Sequence, residues 1–233
     1  MLILSCNTGE GHNSCAKAIK EVFDAKGETC VIEDSLRFIS EKTSRFISWG
    51  HVFVYRNIPW LFNFGYGFTE KHPSYFKEKS CLYNFFAKGS DELYKFIVRG
   101  TYDTVICVHP FASLMLTEAQ KRYHLTLKTA FVATDYTCSP SVQESSLNYY
   151  FIPNEALTSE FECVNITRDK IVACGIPIRQ MFYKSIHWLR ATSPWGTLLG
   201  AMSPRMPRMA TNTTPRSAGH RPRPFPRRML TAL

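Results

Sequence analysis

Residues 1–23 read MLILSCNTGEGHNSCAKAIKEVF, and the fold turns on how this stretch divides. Residues 1–6 are a short apolar run ended by a turn signal, which predicts a buried strand. Apolar side chains at Cys15, Ala18, Ile19, Val22 and Phe23 then recur at helical spacing and predict a helix from Asn13 to about Lys26. Gly27 stands where a glycine ends a helix. Between strand and helix lies Thr8-Gly9-Glu10-Gly11-His12, a turn with two glycines and a histidine.

The same alternation continues downstream. ETCVIED (28–34) predicts a second strand, and a helical stretch rich in Phe, Ile and Trp follows to about residue 56. YDTVICVHP (102–110) is a buried strand closed by a proline that cannot continue a ladder. FASLMLTEAQKRYH (111–124) is an amphipathic helix, LKTAFVATD (127–135) and LNYYFIP (147–153) are strands, NEALTSEF (154–161) is a helix, and KIVACGIPI (170–178) is a last strand. Strands that read as continuous apolar runs and alternate with helices predict a parallel sheet covered on both faces. The expected fold class is α/β, a doubly wound, Rossmann-like domain.

Charge and cysteine usage bound the function classes. The net charge of +9 belongs to the end of the chain: residues 187–233 hold eight arginines and no acidic residue. Removing those eight from the 28 basic residues leaves 20 against 19 acidic ones, so the body is nearly neutral and offers no basic face to nucleic acid. The eight cysteines all precede residue 187 and none forms a C-x-x-C pair, which points to buried free thiols in a reducing compartment and to no metal site. The apolar start lacks a basic region and a cleavage site, and no apolar stretch approaches the roughly 20 residues of a membrane span. An intracellular protein that does not cross a membrane is expected.

Two regions follow: a folded domain at 1–186 and a tail at 187–233. The tail holds seven of the 13 prolines and no Lys, Cys, Ile, Val, Tyr, Asp or Glu, a composition that cannot offset its ordering entropy and predicts disorder. So abrupt a change of vocabulary also points to a shifted reading frame, which sequencing the transcript across codon 187 tests.

Three polar strand ends carry the chemistry. In a doubly wound sheet the ligand lies beyond the carboxyl ends of the strands. At the first, Gly9 and Gly11 suit close approach of an anion to backbone N–H groups at a helix start, and both tolerate positive φ. His12 would stand at the cleft mouth as a general base or phosphate ligand, although the same residues also make a plain tight turn with an exposed histidine. At the second, His109 and Pro110 follow a strand and Ser113 opens a helix; His109 is either a cleft residue or a helix-entry residue. At the third, Thr134 and Asp135 point to the same cleft, with Pro140 stiffening the loop, and Asp135 orients a histidine, accepts from a hydroxyl or merely caps. No Lys-Ser/Thr follows the glycines, so a Walker loop fails, and a dinucleotide fingerprint has Ser14 at its third glycine position, with Glu33 and Asp34 as the ribose acid.

A fourth region, Phe46 to Phe86, holds 14 of the 32 aromatic residues, with Lys71, Lys77 and Lys79 among them. These rings are either core or an interfacial membrane contact. Their clustering beside Gly and Pro rather than at helical spacing favours the lipid-facing alternative.

The motifs TGEGHNSCAKAI (8–19), HPFAS (109–113), VATDYTCSP (132–140), YYFIPNE (149–155) and GIPIR (175–179), in this order and spacing, resemble the N-terminal domain of the monogalactosyldiacylglycerol synthases and processive diacylglycerol glucosyltransferases. The likeness covers about residues 1–185, and glycosyltransferases that elongate peptidoglycan lipid intermediates carry a similar Gly-Gly-His turn. The resemblance implies one half of a GT-B fold: an N-terminal domain that binds the lipid acceptor and touches the membrane, and a C-terminal domain that binds the UDP-sugar donor. It implies inverting transfer of a hexose to diacylglycerol in glycolipid biosynthesis, with no metal or other cofactor.

By similarity His12 is the base and Asp135 its companion on the acceptor side. Gly9, Glu10, Gly11, Asn13, His109, Pro110, Thr134 and Tyr136 bind substrate, and Trp49, Trp60, Phe62, Phe64 and Tyr66 contact an anionic membrane surface. A peripheral place on the cytoplasmic face follows. Only the 47-residue tail stands where the family's second domain would begin, so a truncated chain, inactive alone, is expected. A non-catalytic lipid-binding module is the alternative, and a nicotinamide dehydrogenase half, disfavoured by Ser14, is a third reading.

Overall fold

The computed structural model describes residues 1–58, 60–61 and 73–182. The tail at 187–233 and the membrane-contact candidates Phe62, Phe64 and Tyr66 lie outside the described residues.

Six parallel strands form one sheet: β1 (Leu2–Ser5), β2 (Val31–Asp34), β3 (Thr104–Cys107), β4 (Lys128–Val132), β5 (Tyr149–Ile152) and β6 (Ile171–Ala173), in the order β2-β1-β3-β4-β5-β6. The α-helices lying wholly within the described residues are α1 (Glu10–Asp24), α2 (Glu41–Asn57), α3 (Cys81–Ala87), α4 (Ser90–Arg99), α5 (Pro110–Tyr123) and α6 (Thr158–Cys163). This is the doubly wound, Rossmann-like α/β fold that the alternating pattern predicts.

The strands divide their side chains between two cores, as a period of two requires. Leu2, Leu4, Val105 and Cys107 face a layer containing Leu93 and Ile97 of α4, Met115 and Leu116 of α5, and Phe161 of α6. Ile3, Ile106 and Ala130 face the opposite way, against Cys15, Ile19 and Phe23 of α1. Leu2, Ile3 and Leu4 are fully buried, each contributing about 1.5–3 kcal/mol of apolar transfer. Both faces are therefore covered, and the strands read as unbroken apolar runs for that reason.

Boundaries differ from expectation where local signals mislead. The first helix begins at Glu10 rather than Asn13, inside the glycine turn, so His12 lies in its first turn. Gly27, at φ 77°, ends it as expected. Helices α3 and α4 carry no counterpart in the periodicity reading; α3 starts behind Ser80, whose hydroxyl accepts from the Tyr83 N–H at 3.1 Å. The end of the described unit returns to the first helix: Arg179 Nε donates to Glu21 Oε1 at 2.7 Å and the Gln180 N–H donates to Glu21 Oε2 at 3.0 Å. Among the described residues no helix is long and apolar enough to cross a membrane.

Candidate functional site

The strand order reverses at β1 and β3: β2 lies beyond β1 on one side, and β4, β5 and β6 run outward from β3 on the other. The connections after β1 and β3 leave in opposite directions and open a crevice at the strands' carboxyl ends. The Val108 N–H bonds the Leu4 carbonyl at 2.9 Å, which sets the two exits side by side.

His12 sits in that crevice, half-buried. Its Nδ1 lies 2.9 Å from the Val108 carbonyl oxygen and 2.7 Å from Thr134 Oγ1. A carbonyl only accepts, so Nδ1 carries a proton, and in the neutral ring Nε2 keeps a lone pair. Nε2 has no hydrogen-bond partner among the described residues. Residues 12, 108 and 134, far apart in sequence, thus meet at one ring.

His109 packs against that ring, centroid to centroid 4.5 Å and inclined 63°. It is buried, and both its nitrogens are engaged. Nδ1 accepts from the Phe111 N–H at 3.1 Å and so caps α5, whose first residue is Pro110. Nε2 lies 3.2 Å from Thr8 Oγ1 and donates to it. Burial, reinforced by His12 and His51, holds its proton affinity well below the ordinary histidine range. It is a neutral strut between the two loops, with no polar atom left over for a ligand, and Pro110 is buried with it.

The glycines act differently from expectation. Gly9 is fully extended (φ 169°, ψ 164°), and neither it nor Gly11 needs a positive φ. A Cβ at either would meet nothing within 4 Å. What they supply is open space over the start of α1, whose first turn has no side-chain cap. Behind the turn, Ser5 Oγ donates to Asn13 Oδ1 at 2.7 Å and Asn13 Nδ2 donates to Asn7 Oδ1 at 2.9 Å. Glu10 is exposed, 3.9 Å from Lys17.

Asp135 does not orient a histidine: it is exposed and makes no hydrogen bond among the described residues, and Thr134 takes the place beside His12. Tyr136 is 70% exposed at the rim. Asp34 is consumed internally, accepting from the N–H groups of Asn7 and Leu36 and from Ser44 Oγ on α2, which leaves nothing for a ribose.

His51, on α2, escaped the sequence reading. It lies close enough to His12 that their charges would repel, and burial together with that repulsion lowers its proton affinity. The signal was spacing: Ser44, Ile47 and His51 stand at i, i+3 and i+7, one helix face, and Ser44 and Ile47 are packed inward. The opposite face carries Phe46, Trp49 and Phe53, also at helical spacing, at 72%, 63% and 43% exposure, with Trp49 stacked on Phe53 at 5.1 Å. Trp60 is exposed beyond the helix end.

The thiols are not candidates for chemistry at this edge. Burial pushes Cys6, beside Asp34, and Cys15 up to about 12. Among the described residues no three His, Cys, Asp or Glu side chains are grouped to hold a metal ion.

The profile of the Monogalactosyldiacylglycerol (MGDG) synthase family matches residues 12–178, well over half of the chain and nearly all of the sheet. No curated protein matches the chain. With five of the six strands and the positions of His12, His109 and Thr134 inside the matched span, the chain belongs to the MGDG synthase family, a family of glycolipid-making glycosyltransferases.

Proposed function

We propose that residues 1–186 form the acceptor-binding half of a GT-B lipid glycosyltransferase, presenting the hydroxyl of diacylglycerol to the anomeric carbon of a hexose carried on UDP. The observation that carries this reading is the convergence of the loops after β1, β3 and β4 on His12, with Nδ1 occupied and Nε2 unpartnered. A neutral imidazole with an outward lone pair suits a general base. The acceptor O–H gives its proton to His12 Nε2 as its oxygen attacks the anomeric carbon. The bond from that carbon to the UDP oxygen breaks with its electron pair, and configuration inverts.

The open space at Gly9 and Gly11 lets the acceptor reach His12, and the uncapped N–H groups of α1 favour the negative charge of the leaving diphosphate. A second, nucleotide-binding domain supplies the remaining donor contacts, and the family resemblance calls for no metal. Asp135 and Tyr136, exposed at the rim, meet the lipid headgroup, while Glu10 and Asn13 flank it. The outward rings of α2 and Trp60 rest on an anionic membrane at its cytoplasmic face.

Photoreactive diacylglycerol in vesicles tests the reading. Label is expected within residues 9–13 and 134–136, and unlabelled diacylglycerol should compete it away. Label spread over the sheet's other end, or indifferent to competition, would sink the proposal. The exposed rings also support a second reading, a non-catalytic lipid-surface module. That module would bind vesicles equally with and without diacylglycerol.

A further inference from the structure

We propose that Thr134 is the positioning residue of His12: its hydroxyl oxygen shares the Nδ1 proton with the Val108 carbonyl, holding the ring so that the Nε2 lone pair faces the acceptor. The inference rests on the reading of His12 as the base and deepens it.

The distances carry the argument. One N–H between acceptors at 2.9 and 2.7 Å is a three-centre hydrogen bond, and it fixes the plane of the imidazole as well as its tautomer. Turning the ring over would set a carbon against both oxygens and strand a buried proton acceptor. His109, packed across one side at 4.5 Å, removes the remaining freedom. In water a histidine proton prefers Nε2, so the protein selects the disfavoured tautomer, and selects it with backbone and a hydroxyl.

The choice of a hydroxyl also matters. When Nε2 takes a proton, the charge spreads to the Nδ1–H, and both acceptors are then bound by a charge-assisted hydrogen bond, roughly twice as strong as a neutral one. Thr134 therefore strengthens the base during proton transfer. An ionised carboxylate in its place would fix the same tautomer and would favour the protonated ring more strongly than a hydroxyl does. Asp135 is the neighbouring residue and remains outside. Among the described residues the other titratable groups around His12 are His109 at the head of α5 and His51 on α2, with Glu10 on its own helix and Asp135 at the rim.

Nitrogen-resolved NMR on the full chain labelled with ¹⁵N-histidine tests this without any transfer assay. The His12 signals are those missing from His12→Gln. In the wild type at alkaline pH the proton is expected on Nδ1. Thr134→Val should lower the His12 titration midpoint by about 0.5–1 pH unit, and Thr134→Ser should restore it. A proton on Nε2 in the wild type overturns the proposal, and this measurement needs no variant. So does an unchanged midpoint in a folded Thr134→Val, its folding judged by the undisturbed His109 and His124 signals. If the NMR results hold while His12→Ala, in a form that carries the nucleotide-binding domain, still transfers hexose, the reaction reading fails and the proton's placement stands.

Discussion

Around His12 the polar atoms are held from several directions at once, by a backbone carbonyl, a hydroxyl and a second imidazole. Helix α2, immediately beside it, buries only Ser44 and turns Phe46, Trp49 and Phe53 to solvent. The first region is determined from within. Among the described residues the second is tied to the sheet side through Ser44 to Asp34 and through Ile47 to the small core of Cys6, Leu36 and Phe86. The contrast separates two tasks: chemistry demands fixed atoms, whereas a docking face keeps its apolar area available until something outside covers it. A single helix joins the two, since His51 looks inward from the same seventeen residues that present the rings outward.

The largest expected effect breaks the first region alone. In a form that carries the nucleotide-binding domain, His12→Ala should reduce hexose transfer to diacylglycerol at least about 100-fold, while vesicle binding stays as it was. Retained transfer would remove His12 from the reaction.

Next, Trp49→Ser with Phe53→Ser should weaken partitioning onto anionic vesicles about 30-fold, at roughly 1 kcal/mol for each half-buried ring. Urea unfolding should change little, because exposed substitutions usually do. Equal partitioning of variant and wild type in a flotation gradient would mean that the lipid surface lies elsewhere.

A change at the seam is smaller. Ser44→Ala removes the hydroxyl that donates to the buried Asp34 carboxylate, and urea titration should show a loss of about 2 kcal/mol. An unchanged midpoint would show that α2 is held by other contacts.

The last effect is graded with pH. His109 stays neutral when folded but titrates near its ordinary 6.5 when unfolded, so below that pH the unfolded chain binds a proton that the folded chain refuses. Stability should fall by up to about 1.4 kcal/mol for each pH unit below 6.5, and His51 adds in the same direction. Asn caps helices well, so His109→Asn should flatten that slope in denaturation measured from pH 7 to 5. A slope unaltered in the variant would place the acid sensitivity in other groups.

The sheet was legible because buried parallel strands leave a simple trace, as in LILS, TVIC and YYFI between turn signals. The start of α1 was not, because the helix begins behind Gly9, with no Ser, Thr, Asp or Asn to announce it. The last strand came out shorter than its apolar run because Gly175 takes φ 90° and two residues later Pro177 has no N–H to give. That three strand ends would share an edge follows from parallel order, but the partner of His12 did not. Thr134 and Asp135 are neighbours on one loop, the carboxylate looked the stronger candidate, and only coordinates show which of the two turns inward. His51 was hidden by its surroundings, a lone polar residue in a stretch whose aromatic density drew attention to the opposite face.

The Arg179–Glu21 clasp has a mechanical consequence. It anchors the exit of the folded unit to α1 instead of leaving it to hang from the short edge strand. Tension on the polypeptide beyond Phe182 is therefore delivered to the helix that bears His12, two and a half turns from its ring. Whatever that stretch of polypeptide does, its pull and the aim of the imidazole share one lever.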